Sequence, residues 1–297
     1  MSIVDIAAPK DFESIAALIH TAATTAASHC IHASTGESTS ALVREMQTLH
    51  IAEEMAWAVL RKHDEAAAAM GAEFDPESGR AWLRGPFAGS DWDSTAPALW
   101  SKLQTALPDG ITRFDSFLNV ENLRGAAFYE TVGFAPRIRV HIYRAESSNR
   151  PAPSRAGSDH PIQPMAARHH QAFARLHDAI FPNTYYTGSQ IIGLQDERHR
   201  VWVRSEGNSV AGYIYTTDEE WGEEGLIEFL GVAETERGRG IGGSLLRTAL
   251  AWLFEERGLP AVGLSVDDDN VNARGLYERV GFKHLYSGIS HRLERSG

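Results

Sequence analysis

The residues best suited to hold a ligand lie in Val232-Ala-Glu-Thr-Glu-Arg237-Gly238-Arg239-Gly240-Ile241-Gly242-Gly243-Ser244-Leu245. An apolar run, residues 226–232, enters a turn dense in glycine, and leucines at helical spacing leave it. Glycine lets a backbone take positive φ and come close to a ligand. The first turn of the helix that follows presents unpaired N–H groups and the positive end of its dipole. With Arg237 and Arg239 beside it, this makes a cradle for an anion, a phosphate above all. The plainer alternative is a tight strand-to-helix connection without a ligand. No Gly-Lys-Ser/Thr closes the turn, so it is not a Walker loop, and Gly238-x-Gly240-x-Gly242 departs from the dinucleotide fingerprint. His29-Cys30-Ile31-His32 offers metal-ligating types but lacks a fourth ligand, and no metal is expected there. His169-His170 reads as a helix start.

The 297 residues suit one large domain or two of ordinary size. With 43% hydrophobic and 23% charged residues, a packed core is expected and global disorder is not. The net charge is −11, shared as −6 and −5 between the two halves, which excludes the electrostatic footprint of a nucleic-acid binder. An acidic surface is compatible with a cationic small molecule. The one cysteine, Cys30, excludes an internal disulfide and a multi-cysteine metal site, and fits a reducing, cytoplasmic setting. No apolar run nears the roughly 18 residues that cross a bilayer. The start, MSIVDIAAPKDFE, lacks the basic region of a secretory signal.

The chain repeats itself. Asn122, Tyr129, Glu130, Val132, Gly133 and Phe134 recur as Asn270, Tyr277, Glu278, Val280, Gly281 and Phe282, at an offset of 148 residues, half the chain. Ile3, Ile6, Ala7 and Ala8 resemble Ile162, Met165, Ala166 and Ala167 at an offset of 159. Between the copies, residues 146–159 are rich in Pro, Ser, Gly and charge, a linker signature. Three segments are therefore expected: a first domain at 1–148, a linker at 149–159 and a second domain at 160–297. In the second copy, periodicity predicts the order β, α, β, β, β, α, β, α, β, a mixed α/β (α+β layered) fold with helices on both faces of a central sheet. In the first copy, Glu65-Ala-Ala-Ala-Ala-Met-Gly71 reads as helix by propensity. The repeat instead predicts a strand there, with Gly71 matched to Gly212.

Arg237-x-x-Gly240-x-Gly242 after a strand, followed by Asn270, Tyr277 and Gly281-Phe282, resembles the GNAT superfamily of acyl-CoA-dependent N-acetyltransferases. The resemblance covers the whole second copy. It implies acetyl-CoA as co-substrate, its pyrophosphate held by backbone amides from Arg237 through Gly238, Arg239, Gly240, Ile241, Gly242 and Gly243 to Ser244. It also implies backbone pairing of the pantetheine arm along Leu230, Gly231 and Val232, with Asn270 beside that arm and Tyr277 near the thiol. The first copy keeps Asn122 to Phe134 but has Arg84-Gly-Pro-Phe-Ala-Gly89-Ser-Asp91-Trp-Asp93-Ser-Thr-Ala-Pro97 in place of the cradle. Pro86 and Pro97 remove amide donors, and Asp91 and Asp93 repel a phosphate. It therefore reads as a degenerate GNAT-like domain, and the tandem arrangement resembles that of mycothiol synthases.

Acyl transfer to an amine needs a base for the ammonium and an acid for the departing sulfur. A phenol suits the second role, and Tyr277 is the candidate; the alternative is a core tyrosine. GNAT enzymes often place a glutamate about eleven residues before the glycine motif, where this chain has Leu226. Glu224, Leu226 and Glu228 alternate and share one face of the strand. Glu228, set among apolar residues, is the first candidate base, with Glu224 second; a carboxylate that only orients the ammonium is the alternative. The acceptor is expected near Phe181-Pro-Asn-Thr-Tyr185-Tyr186-Thr and the acidic turn Asp218-Glu-Glu-Trp221-Gly-Glu-Glu224. Three readings result: N-acetylation of a small-molecule or peptide amine, a mycothiol-synthase-like reaction, and a non-catalytic acyl-CoA sensor. No nucleic-acid or membrane partner is expected, and the state is a monomer or homodimer.

Overall fold

The computed structural model describes residues 4–34, 37–89, 91–149, 162–182, 184–218 and 224–295. All of the expected linker beyond Asn149 lies outside them. The chain forms two compact units: Met1–Val140 with Tyr286–Gly297, and His141–Leu285.

The first unit runs β1 (Val4–Ile6), α1 (Phe12–Ala23), α2 (Thr39–Ile51), β2 (Met55–Lys62), β3 (Glu65–Asp75), β4 (Arg80–Phe87), α3 (Trp92–Gln104), β5 (Arg113–Asn119) and α4 (Leu123–Thr131). Then β6 (Ala135–Glu146) begins in this unit and ends in the second. The second continues with β7 (Ile162–Pro164), α5 (His170–Ile180), α6 (Gly188–Leu194), β8 (His199–Glu206), β9 (Ser209–Asp218), β10 (Gly225–Val232), α7 (Ile241–Ala251), β11 (Ala261–Asp267), α8 (Val271–Arg279) and β12 (Lys283–Glu294). The short α6 is the element that the periodicity passes over.

The sequence places each last strand with its own half. In the structure, β12 leaves the second unit at Tyr286 and supplies the strand beside β5 in the first, pairing Gly288 with Asn119 through Glu294 with Arg113. Asp115 anchors it, accepting at 2.7 Å from both Arg292 of β12 and Arg80 of β4. Conversely, β6 from His141 onward completes the sheet order β6-β11-β10-β9-β8-β7 of the second unit. The two halves thus exchange their terminal strands, which a contiguous division at 148 and 160 does not contain.

The two sheets are built alike. Both open with an antiparallel hairpin, Lys62 opposite Glu65 and Glu206 opposite Ser209, each with a register shift just beyond the turn. In both, a parallel pair follows, β4 with β5 and β10 with β11. The segment 65–71 is strand, as the repeat predicts, because its alanines are packed into the sheet; Ala66, Ala68, Ala69 and Met70 are buried. Tertiary burial overrides helix propensity here. The register nevertheless corrects the alignment within it: Ala68 stands where Gly212 does, and Gly71 where Tyr215 does. Gly71 is glycine because a Cβ would meet the Trp57 indole at 2.5 Å. The starts also align one residue differently, Ala8 with Ala166. Each donates its amide to a side chain three residues on, Asp11 at 2.8 Å and His169 at 3.1 Å. His169 is thus part of a helix start.

In the second unit the sheet is packed on both faces. On β9, Ile214 joins the cluster of Leu245, Leu246 and Leu250 from α7, while its neighbours Tyr213 and Tyr215 join Phe173 of α5 and Ile191 of α6. Among the described residues no helix is long and apolar enough to cross a membrane.

Candidate active site

The strand β10 carries the site because its regular pairing fails midway. Toward β9, Ile227 pairs with Thr216 but Phe229 with Tyr215, so Glu228 is the extra residue of a bulge. The bulge changes parity: Ile227 lies in the α7 cluster and Phe229 in the α5 cluster. Toward β11, pairing stops at Ile227 with Leu264. From Phe229 to Val232 the β11-facing backbone edge carries no ladder. Ala233 N donates to Ala211 O, so Ala233 and Gly231 turn their backbone groups toward β9, while the amides of Leu230 and Val232 and the carbonyl of Leu230 face the free edge, open to an extended ligand.

The turn after β10 has the conformation the glycines imply. Gly238 and Gly240 take φ of +77° and +78°, and Gly240 is the residue that caps α7 without a side-chain bond. A Cβ on either would meet nothing within 4 Å, so the turn is open on the side where the chain comes bare. The first intrahelical bond is Ser244 N to Gly240 O at 3.1 Å, which leaves the amides of Ile241, Gly242 and Gly243 ahead of the helix ladder. Arg237 Nε donates to Val232 O at 3.2 Å, and Arg239 pairs with Glu236 at 2.8 Å. Arg237 therefore braces the strand end against the turn, and Arg239 carries its charge partly neutralised. These donors suit a pyrophosphate: an open, positively polarised backbone with no carboxylate in the turn from Arg237 to Ser244.

Tyr277, on α8, is buried, with its ring near Tyr143 and Phe282. Burial pushes its phenol up to about 12. Its hydroxyl makes no hydrogen bond among the described residues. Asn270 has a local task instead: its side chain caps α8, accepting from Ala273 N at 3.3 Å. That cap explains the residue type without a ligand.

Glu228 accepts a very short hydrogen bond from the Tyr185 hydroxyl, and Thr217 Oγ1 donates to its other oxygen at 3.5 Å. Burial raises its carboxyl above the ordinary range, and the two hydrogen bonds only partly oppose this. Glu224 is committed elsewhere, in an ion pair with Arg144 at 2.5 Å. At the other end of the expected acidic turn, Asp218 pairs with Arg257 at 2.7 Å. Residues 219–223, with Trp221, lie outside the described residues, as does Asn183.

A residue that sequence reasoning passed over holds the acceptor-side loop. His177 of α5 is fully buried; its Nε2 donates to Tyr186 O at 2.8 Å, and its Nδ1 meets the Tyr213 hydroxyl at 2.6 Å. It pins the segment that carries Tyr185. A histidine among the apolar positions of α5 was the signal available. In the His29–His32 segment, His29 Nε2 donates to Ser34 O at 2.8 Å, and Cys30 and Ile31 are core.

Residues 170–282 match the Acetyltransferase (GNAT) family. This segment is a GNAT domain. The whole fold is similar to a GCN5-related N-acetyltransferase from Sphaerobacter thermophilus, at 18% identity and a TM-score of 0.75, over 99% of this chain and 96% of that one. It is also similar to a tandem GNAT protein from the clavulanic acid biosynthesis pathway, at 13% identity and a TM-score of 0.68, over 100% and 99% of the two chains. The chain therefore has a tandem GNAT fold. A mycothiol acetyltransferase from Salinispora tropica is 41% identical over 69 residues, 23% of this chain and 22% of that protein. The match thus spans about a fifth of that relative's length.

Proposed function

We propose that the protein transfers an acetyl group from acetyl-CoA to a primary amine of a small molecule or peptide, in its second unit. The observation that carries this reading is Tyr277, whose ring is buried while its hydroxyl has no partner among the described residues, on a GNAT domain whose glycine cradle is open. Acetyl-CoA, when bound, supplies the activated acyl group. The amides of Ile241, Gly242 and Gly243 would hold its pyrophosphate, and the free edge of the Leu230–Val232 segment, through the backbone groups of Leu230 and the amide of Val232, its pantetheine arm.

Glu228 takes one proton from the acceptor ammonium and passes it to solvent. The freed nitrogen forms its bond to the acyl carbon as the carbon–sulfur bond breaks. Tyr277 gives its proton to the leaving sulfur and regains one from the nitrogen, so the products are an amide and a free thiol. A phenol pushed up to about 12 remains protonated at neutral pH, as an acid must. A carboxyl raised by burial sets the acidic limb of the rate profile: activity rises with pH as Glu228 loses its proton. The match to mycothiol acetyltransferases supports a narrower second reading, in which the amine belongs to a thiol-containing aminosugar conjugate. The proposed setting is cytoplasmic, as a monomer or homodimer without nucleic-acid or membrane partners.

The test is release of free thiol from acetyl-CoA over a panel of amines, with Glu228→Gln alongside. The expected result is amine-dependent turnover whose acidic limb is lost in Glu228→Gln, with the deficit shrinking at high pH. Saturable acetyl-CoA binding with no turnover on any amine would leave the sensor reading instead.

A further inference from the structure

Glu228 is built as a single-charge receptor. Among the described residues, four carboxylates on neighbouring elements are engaged: Asp196 with His199 at 2.9 Å, Asp218 with Arg257, Glu224 with Arg144, and Asp178 with the Gly188 amide at 2.8 Å. Glu228 has hydroxyl partners only, from Tyr185 and Thr217. Around it the walls are aromatic. The half-exposed Tyr185 ring lies 5.0 Å from both Phe229 and Tyr186. Tyr215 stacks with Phe229 on one side and with His199 on the other, each at 6.5 Å.

We infer, resting on the acyl-transfer reading above, that Tyr185 is a positioning residue. It holds the Glu228 carboxylate until an acceptor ammonium takes its place, and the pocket so formed selects a primary amine bearing one positive charge beside an apolar or aromatic body. A hydroxyl can yield to an ammonium because the exchange replaces a neutral donor by a charged one, which binds a carboxylate more strongly. Among the described residues a second ammonium would find aromatic faces and carboxylates that already have partners, and its desolvation there would go uncompensated. A small hydrophilic amine would leave the aromatic walls uncovered. The groups facing Glu228 are Tyr185 and Tyr186 from the loop, His199 from β8, and Tyr215 and Thr217 from β9. Of these, Tyr185 makes the shorter of the two hydrogen bonds to it.

The experiment compares phenethylamine, ethanolamine and spermidine, in wild type and Tyr185→Phe. Binding is read by calorimetry and transfer by kcat/KM. Coenzyme A is titrated first, and the Glu228 carboxyl is followed by carbon-13 NMR against pH without ligand. Phenethylamine is expected to exceed both other amines by about tenfold or more in both readouts. Tyr185→Phe removes a hydrogen bond that favours the ionised carboxyl, so the Glu228 titration and the acidic limb both move to higher pH. A merely structural loss would lower the rate without moving either. Preference for spermidine or ethanolamine, or an unmoved Glu228 titration in a folded Tyr185→Phe protein, overturns the inference while acyl transfer stands. Selective phenethylamine binding without transfer supports the pocket and overturns the transfer reading.

Discussion

Tyr129 and Tyr277 occupy the same place in the repeat and lead opposite lives. Tyr129 is fully buried, and its hydroxyl donates to Gly85 O at 2.6 Å. Tyr277 keeps its hydroxyl without a partner among the described residues. The difference begins one strand away. Leu83 pairs with Ser116 as Ile227 pairs with Leu264, and the next residue, Arg84, pairs with Gly71 as Phe229 pairs with Tyr215, so the register shift of β4 comes after Arg84 and β4 has no residue in the bulge position of Glu228. Arg84 is buried and held by Glu45 and Glu73 at 2.7 and 2.8 Å. Burial works against its charge, but the two carboxylates outweigh burial and raise its pKa. Three residues before Leu83, as Glu224 is three before Ile227, stands Arg80, which pairs with Asp115. Near the positions of the two candidate bases β4 thus carries arginines, and the phenol of this unit donates to a backbone carbonyl.

The two helix starts differ in the same sense. Where α7 opens on two positive-φ glycines, α3 opens behind Asp91 with Trp92 buried in its first turn and Pro97 in its interior. Arg124 lies over the Trp92 ring at 4.8 Å. A carboxylate and an indole stand where the second unit offers bare amides. The scaffold is shared while the donors differ, because the strands, caps and register are set by packing and the donors by a few side chains.

The largest expected effect comes from ending the chain at Leu285. Because Tyr286–Gly297 belong to the first unit, loss of β12 strips the strand paired to β5 and leaves Asp115 without Arg292. The first unit is expected to unfold, read as loss of hydrogen-exchange protection in β5 while β8 and β9 keep theirs. Next comes the tyrosine pair. Tyr277→Phe should lower turnover about 10²–10⁴-fold with little change in acetyl-CoA affinity. Tyr129→Phe should leave turnover intact and destabilise by about 1–3 kcal/mol, since Gly85 O loses its buried donor. Equal turnover losses in the two would undo the contrast.

Gly240→Asp should weaken acetyl-CoA by about tenfold or more in calorimetry, through a carboxylate at the cradle. The folded protein should lose about 1–2 kcal/mol from the φ of +78°. Gly89→Asp should change neither affinity nor stoichiometry, which is expected near one; a value near two would mean that the first unit also binds. The smallest effect separates cap from ligand contact. Asn122→Ala and Asn270→Ala should each cost about 0.5–2 kcal/mol in thermal unfolding. A large additional loss of acetyl-CoA affinity in Asn270→Ala alone would restore a ligand role to that side chain.

The sequence determined the repeat, the strand and helix order of the second copy apart from α6, and the glycine turn before α7, because these rest on local chemistry. Glycines, caps and apolar periodicity act over a few residues and need no distant partner to be read. The raised carboxyl of Glu228 was legible for the same reason, as a carboxylate inside Leu-Ile-Glu-Phe-Leu. Only the tertiary structure decided which strands close which unit, since β6 and β12 carry no mark of the sheet they will join. It alone tied Glu224 to Arg144, set Tyr185 on Glu228, left Glu228 in a bulge without a counterpart on β4, and distinguished a satisfied tyrosine from an open one. Each of these depends on a partner far along the chain, and burial and hydrogen bonding are properties of the folded arrangement rather than of residue type.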